Sequence, residues 1–208
     1  RRSSDLFLMN LAACFIVIII NQGLKKYGGD LAIGAFGIVN RLVFIVVMIV
    51  MGLNQGMQPI AGYNFGAKLY GRVNKVLKLT IIYATAVTTF GFLVGMLVPD
   101  LVVGIFTSDA ELTELSVTGL RITVMFFPII GFQMVTSNFF QSIGMAGKAI
   151  FLSLTRQMLI LLPCLLVLPQ FFGVAGVWYS MPVSDLLASL IALVMLVCQF
   201  RKFRTSPL

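Results

Sequence analysis

The sequence has no histidine, one tryptophan and only seven acidic residues among 208. Without histidine, HExxH-type zinc sites and Ser-His-Asp hydrolysis are both excluded. Charged residues supply 11% of the chain against 59% for hydrophobic ones. A soluble domain cannot hide that much apolar surface, because its own surface must still be wetted. Cysteine is scarce as well. Cys14, Cys164 and Cys198 all fall inside apolar runs with no CxxC spacing. They read as small core or lipid-facing residues, not as disulfides or metal ligands.

What the sequence has is apolar length, with a mean hydropathy of +1.02. Six runs can each cross a bilayer: Leu6–Leu24, Leu31–Ile60, Leu77–Val103, Leu115–Ile143, Ala149–Leu168 and Val174–Phe200. About 20 helical residues span the roughly 30 Å of hydrocarbon. Helix is forced, since lipid leaves no other partner for the backbone and several runs are too continuous for barrel alternation. The fold class expected is therefore an all-α membrane protein with six transmembrane helices. "KKYGGD" supplies a turn with Asp30 as N-cap, and Ser108-x-x-Glu111 reads as a capping box opening the fourth helix. The opening "RRSSD" lacks an initiator Met and precedes a run with no small-residue cleavage site. It reads as the start of a fragment rather than a signal peptide.

The net charge of +8 would suggest nucleic acid in a soluble protein, but position decides its meaning. With both termini on one side, that side holds Arg1, Arg2, Lys68, Arg72, Lys75, Lys78, Lys148, Arg201, Lys202 and Arg204, ten of the 15 basic residues. The other side holds Lys25 and Lys26, with the acids Asp100, Asp109, Glu111 and Glu114. Both termini are thus expected in the cytosol, in a multi-pass protein of the cell (inner) membrane with no nucleic-acid partner. The stretch "QGMQPIAGYNFGAKLYGRV", residues 55–73, then reads as the cytosolic end of a long second helix. Gly62, Gly66 and Gly71 are expected to break that helix, and Arg72, Lys75 and Lys78 to sit at the headgroups.

Polar groups inside spans are costly and are functional candidates by default. Asp185 and Arg156 approach the midplane from opposite faces of the bilayer, as a proton or cation site or as a structural clamp. Arg41 and Arg121 find no further acid in any span, and are expected to snorkel, bind a lipid phosphate or face a cavity. Asn40, Gln55, Gln133 and Asn138 are amide candidates for a cavity wall. Amides between helices also simply pack, stabilising by about 0.6 kcal/mol on average. Gln133 and Asn138 stand near Phe126, Phe127, Phe132, Phe139 and Phe140, so an aromatic-lined cavity is expected there. Pro128, Pro163 and Pro182 are expected to kink their spans, and Gly52-x-x-x-Gly56 and Gly91-x-x-x-Gly95 to allow close helix contact.

The run Gln-Pro-Ile-x-Gly-Tyr-Asn-Phe-Gly-Ala, residues 58–67, resembles the multidrug and toxic compound extrusion (MATE) transporters. "KYGGDLAIGAFGIVNRL" (26–42), "IFTSDAELTEL" (105–115), "QSIGMAGKAIFLSLTRQMLILLP" (141–163) and "GVAGVWYSMPVSDLLA" (173–188) are similar to that family in the same order. The resemblance implies the carboxyl-terminal six-helix lobe of a two-lobe transporter, with the amino-terminal lobe as its partner. It further implies a secondary active antiporter, not an enzyme. Such a protein exports amphipathic or cationic small molecules against protons or sodium, with no other cofactor. The family's sodium-coupled branch carries acids in the first and fourth helices of this lobe. Here Asn10, Ala13 and Gln133 stand in those regions. The sequence looks closer to the branch named for DNA-damage-inducible proteins, in which coupling is attributed to an aspartate of the other lobe. Two rival readings are a lipid-linked oligosaccharide flippase of the wider superfamily, whose cargo phosphate would suit intramembrane arginines, and a membrane assembly protein that transports nothing.

Overall fold

Backbone N–H and C=O groups in hydrocarbon have only each other as partners. The computed structural model, which describes residues 2–205, is accordingly helical throughout. Its elements are α1 (Arg2–Gly66), α2 (Tyr70–Leu97), α3 (Pro99–Gly104), α4 (Ala110–Thr123), α5 (Phe127–Ser142), α6 (Ala146–Leu154), a π-helical segment (Thr155–Leu161), α7 (Leu162–Phe172) and α8 (Val174–Thr205). As one rod α1 would reach roughly 100 Å, far beyond a bilayer. It is not one rod. Gly29 adopts φ 70, ψ −162, a left-handed conformation open to glycine, and the helix is interrupted there. Residues 13–20 and 36–47 then face the same cavity, so the chain folds back on itself.

Four continuous helical stretches are long and apolar enough to cross a membrane, and α4 with α5, bent by 57°, passes as a fifth. The break at Gly29 divides the first of them in two, which yields six crossings. The third helix starts at Tyr70 rather than Leu77, because Arg72, Lys75 and Lys78 stay exposed on its first turns. The fourth crossing is broken at Val124–Phe126, ahead of Pro128, which opens α5. Pro182 lies inside α8 and does not end it.

Two local expectations are corrected. Gly62 and Gly66 are helical, and Gly71 lies in the first turn of α2. The helix ends instead in a Schellman turn at Lys68, a non-glycine residue at φ 58, with Lys68 N–H donating to Phe65 C=O and Leu69 N–H to Asn64 C=O. The fourth crossing is capped by Asp109, not Ser108: its carboxylate accepts from Leu112 N–H at 2.9 Å. Arg1 lies outside the described residues.

The two ends of the bundle are chemically distinct. At one end the turns at 67–69 and 143–145 meet the last turns of α8, with Phe65 and Tyr70 against Phe203 and Lys148 bonded to Gln199. Lys68, Arg72, Lys75, Lys78, Arg201, Lys202 and Arg204 gather there. At the other end Gly28 meets Val174, and Leu112 of the acidic 100–114 segment lies beside Gly34. Two apolar cores stack between the ends. One centres on Leu24, Val39, Phe127 and Trp178, the other on Met57, Leu77, Phe139 and Phe140. Outside them, Phe7, Ile82, Phe90, Phe171 and Val194 are all exposed, an apolar girdle suited to lipid or to another apolar surface.

Close approach between helices is set by glycine. A Cβ on Gly91 would meet Val46 at 2.9 Å and one on Gly95 would meet Val124 at 2.8 Å, whereas Gly52 and Gly56 have nothing within 4 Å. At Gly131 the obstacle is backbone, Ala84 C=O at 2.9 Å. Gly131→Ala should therefore destabilise by about 1–3 kcal/mol through overpacking. Gly52→Ala should be neutral or gain up to about 1 kcal/mol from helix propensity. Denaturation of the two variants in mild detergent checks the contrast, and equal stabilities would contradict it.

Candidate functional site

The π-helical segment packs against α8, and its Met158 and Leu161 join the first core. Along α8, Trp178 belongs to the first core, Ala192 to the second, and Asp185 falls between. Asp185 is 4% exposed and so depends on a partner. Arg156 provides it: Nε donates to Oδ1 at 2.8 Å, and a terminal guanidinium nitrogen lies 2.6 Å from the same oxygen. The Arg156 side chain remains a third exposed. The pairing expected of a clamp is present.

The backbone that presents Arg156 is irregular. Within Thr155–Leu161 the helix widens, and Leu162 N–H bonds Gln157 C=O, five residues back. Such π segments shift the register of the side chains after them and recur at functional sites. Thr155 Oγ1 and Gln157 Oε1 are buried without a hydrogen-bond partner among the described residues.

Arg156, Gln157 and Asp185 line a cavity of about 340 Å³, with Asn40 from α1 and Thr123 from α4 adding its other polar groups. The rest of the wall is apolar, including Ile16, Val39, Phe127, Ile130 and Met134. A few polar groups in an apolar cavity can orient an amphipathic molecule while its bulk is held by packing. Gln157 and Thr123 were not among the sequence candidates. Gln157 had a readable signal, as a polar residue beside Arg156 within an apolar run.

The other candidates lie elsewhere. Arg41, next to Asn40, is exposed and does not line this cavity, and neither Arg41 nor Arg121 makes an ion pair among the described residues. Gln55 is exposed as well. Gln133 is buried on α5 outside the cavity wall. Asn138 accepts from Gln58 Nε2 at 3.1 Å and donates to Met134 C=O at 3.1 Å, so it joins α5 to α1. The expected aromatic cavity around Gln133 and Asn138 is absent from the described cavities. Phe139 and Phe140 are fully buried and pack in the second core, and only Phe127 of that group reaches the Arg156–Asp185 cavity.

Comparison with known proteins adds three findings. The profile of the family described as MatE matches residues 6–166. Multidrug export protein MepA of Staphylococcus aureus (strain MSSA476) is 29% identical over 187 residues, which is 90% of this chain and 41% of that protein. MepA of Staphylococcus saprophyticus is 25% identical over the same shares. The chain thus spans less than half the length of the curated relatives it matches. Among solved structures, the ligand-bound MATE multidrug transporter DinF-BH is 36% identical, with a TM-score of 0.84 over 97% of this chain and 45% of that one. The Vibrio cholerae MATE transporter VcmN in the bent form has a TM-score of 0.87 at 19% identity, over 96% and 45% of the two chains. That second likeness is one of fold.

Removal of one partner of a buried ion pair leaves an uncompensated charge, which costs about 3–5 kcal/mol. Arg156→Gln should therefore unfold more readily than Asp185→Asn, because it strands the more deeply buried group. The double variant Arg156→Gln/Asp185→Asn should be more stable than Arg156→Gln alone, with a coupling of at least about 1 kcal/mol in a double-mutant cycle. Zero coupling would dissolve the clamp.

Proposed function

The chain belongs to the MatE family, and we propose that it forms one wall of a multidrug efflux transporter, exporting amphipathic or cationic small molecules in exchange for protons or sodium. Members of this family are transporters and not enzymes, and the chain is a membrane protein. The observation that carries the reading is the cavity beside the first core, mostly apolar and holding one ion pair and a few neutral polar groups. An exposed arginine would repel a cationic cargo. Here Arg156 is held by Asp185, so the wall carries little net charge. A flippase for phosphate-bearing cargo calls for several cations in such a wall, and Arg156 is the one cation among the described residues lining this cavity.

The partner in this proposal is a second lobe of like size, which fits the chain's match to 45% of each solved relative. Alternating access would rock the two lobes about the cavity. The basic end, with Lys68, Arg72, Lys75 and Lys78, faces the cytosol by the positive-inside rule. The coupling ion enters through a carboxylate. Asp185 is the one acid among the described residues lining this cavity, and its bond to Arg156 gives it a clamping role, so the coupling group is assigned to the other lobe.

The test is dye efflux from vesicles holding the full-length protein, with the planar cationic dye ethidium as cargo. Efflux should follow an imposed proton or sodium gradient, and should fall at least tenfold in Asp185→Asn/Arg156→Gln once protein amount is matched. Efflux independent of both gradients would end the antiport reading. A double variant with wild-type efflux would remove this cavity from the transport path.

A further inference from the structure

At the basic end, α2 rises from the turn after α1, and the last turns of α8 run beside it. Their facing sides enclose a groove of about 570 Å³. Its floor is greasy: Leu77 and Leu196 are buried, and Ile81 and Val197 add to the apolar strip. Its mouth is cationic, with Lys78 from α2 and Arg201 and Arg204 from α8. An aromatic block closes the end of the groove. Phe203 stacks on Tyr70 with ring centres 4.9 Å apart and planes 13° apart, and lies 5.6 Å from Phe200.

The charges are sorted by helix face. On α2, Lys78 turns into the groove, whereas Arg72 and Lys75 are exposed and do not line it. The sequence of α2 has no Asp or Glu, and α8 has only Asp185, which lies deep in its span beside Arg156. One ligand chemistry matches a cationic mouth over an apolar floor: a phosphate at the water boundary carried on acyl chains that stay in hydrocarbon. Basic pockets between helix ends bind anionic headgroups in this way. A free phosphate has no use for the floor, and a zwitterionic lipid brings a cation of its own to a mouth that already holds three.

We propose that the groove between α2 and α8 binds an anionic phospholipid, its phosphate held by Lys78, Arg201 and Arg204 and its acyl chains lying over Ile81 and Val197. Such a lipid would tie the start of α2 to the end of α8. The site is separate from the cavity at Arg156 and Asp185, and the inference stands whether or not the export reading does.

The experiment is a lipid titration of the full-length protein in mild detergent, followed by native mass spectrometry, with dioleoylphosphatidylglycerol and dioleoylphosphatidylcholine as the probes. Phosphatidylglycerol should bind at least tenfold more tightly than phosphatidylcholine. The variant Lys78→Gln/Arg201→Gln/Arg204→Gln should lose that preference, while Arg72→Gln/Lys75→Gln, with its charges outside the groove, should keep it. Val197→Trp, which fills the floor and leaves every charge in place, should also weaken phosphatidylglycerol binding at least tenfold, and it supplies the result if the triple variant fails to fold. Equal binding of the two lipids, or an equal loss in both charge variants, would overturn the proposal in favour of general surface attraction. Displacement of the lipid by an equal concentration of glycerol phosphate would overturn it in favour of a site for soluble phosphate.

Discussion

A buried charge inside a bilayer is costly unless it is paired, and the bond between Arg156 and Asp185 is the constraint around which the middle of this bundle is arranged. Asp185 is buried, so α8 cannot slide or rotate away from the π-helical segment without breaking that bond. The guanidinium is planar and takes up more room than an aliphatic side chain. It borders the first core, whose Ile16, Val39, Phe127 and Ile130 line the cavity with it.

The backbone around the cavity departs from regular helix in two places. The π-helical turn carries Arg156 and Gln157, and the break at Val124–Phe126 separates Thr123 from Phe127, both of which line the same space. Non-helical backbone at membrane depth is tolerated where it is enclosed by protein or borders a cavity. Both breaks border the cavity: Thr123 and Phe127 line it from either side of the first, and Arg156 and Gln157 from the second. Such breaks are also where helices bend, and the bend of 57° between α4 and α5 lies against the cavity rather than remote from it. A cargo entering this space would touch the parts of the bundle whose backbone geometry is the least regular.

Much of this was legible in the residues. Hydropathy separates the apolar runs, Gly28 and Gly29 mark the first reversal, and depth counted along two spans brings Arg156 to Asp185. Other features were not legible, for physical reasons. Phenylalanine in a membrane helix is equally suited to lipid, to a cavity or to a core, and only packing reveals that Phe139 and Phe140 are fully buried. Gly62 reads as a helix breaker, yet a Cβ there would meet Ser142 C=O at 3.0 Å, so its smallness serves a helix contact. The bend before Pro128 was marked by that proline, whereas nothing in residues 155–161 distinguishes a π turn from a regular one. The link from Gln58 to Asn138 joins residues far apart in sequence, and each amide alone could have been ordinary helix packing.

The most direct test of the account is the separation of the two charged groups in a bilayer. Solid-state NMR of the reconstituted full-length protein, with nitrogen-15 arginine and carbon-13 aspartate and Arg156→Lys as the assignment control, measures it without altering the pair. The account predicts a guanidinium nitrogen within about 4 Å of the Asp185 carboxyl carbon, as an ion pair requires. Loss of all dipolar coupling between that carboxyl and any arginine nitrogen would mean that Asp185 is held by something else, and the arrangement described here would be wrong at its centre.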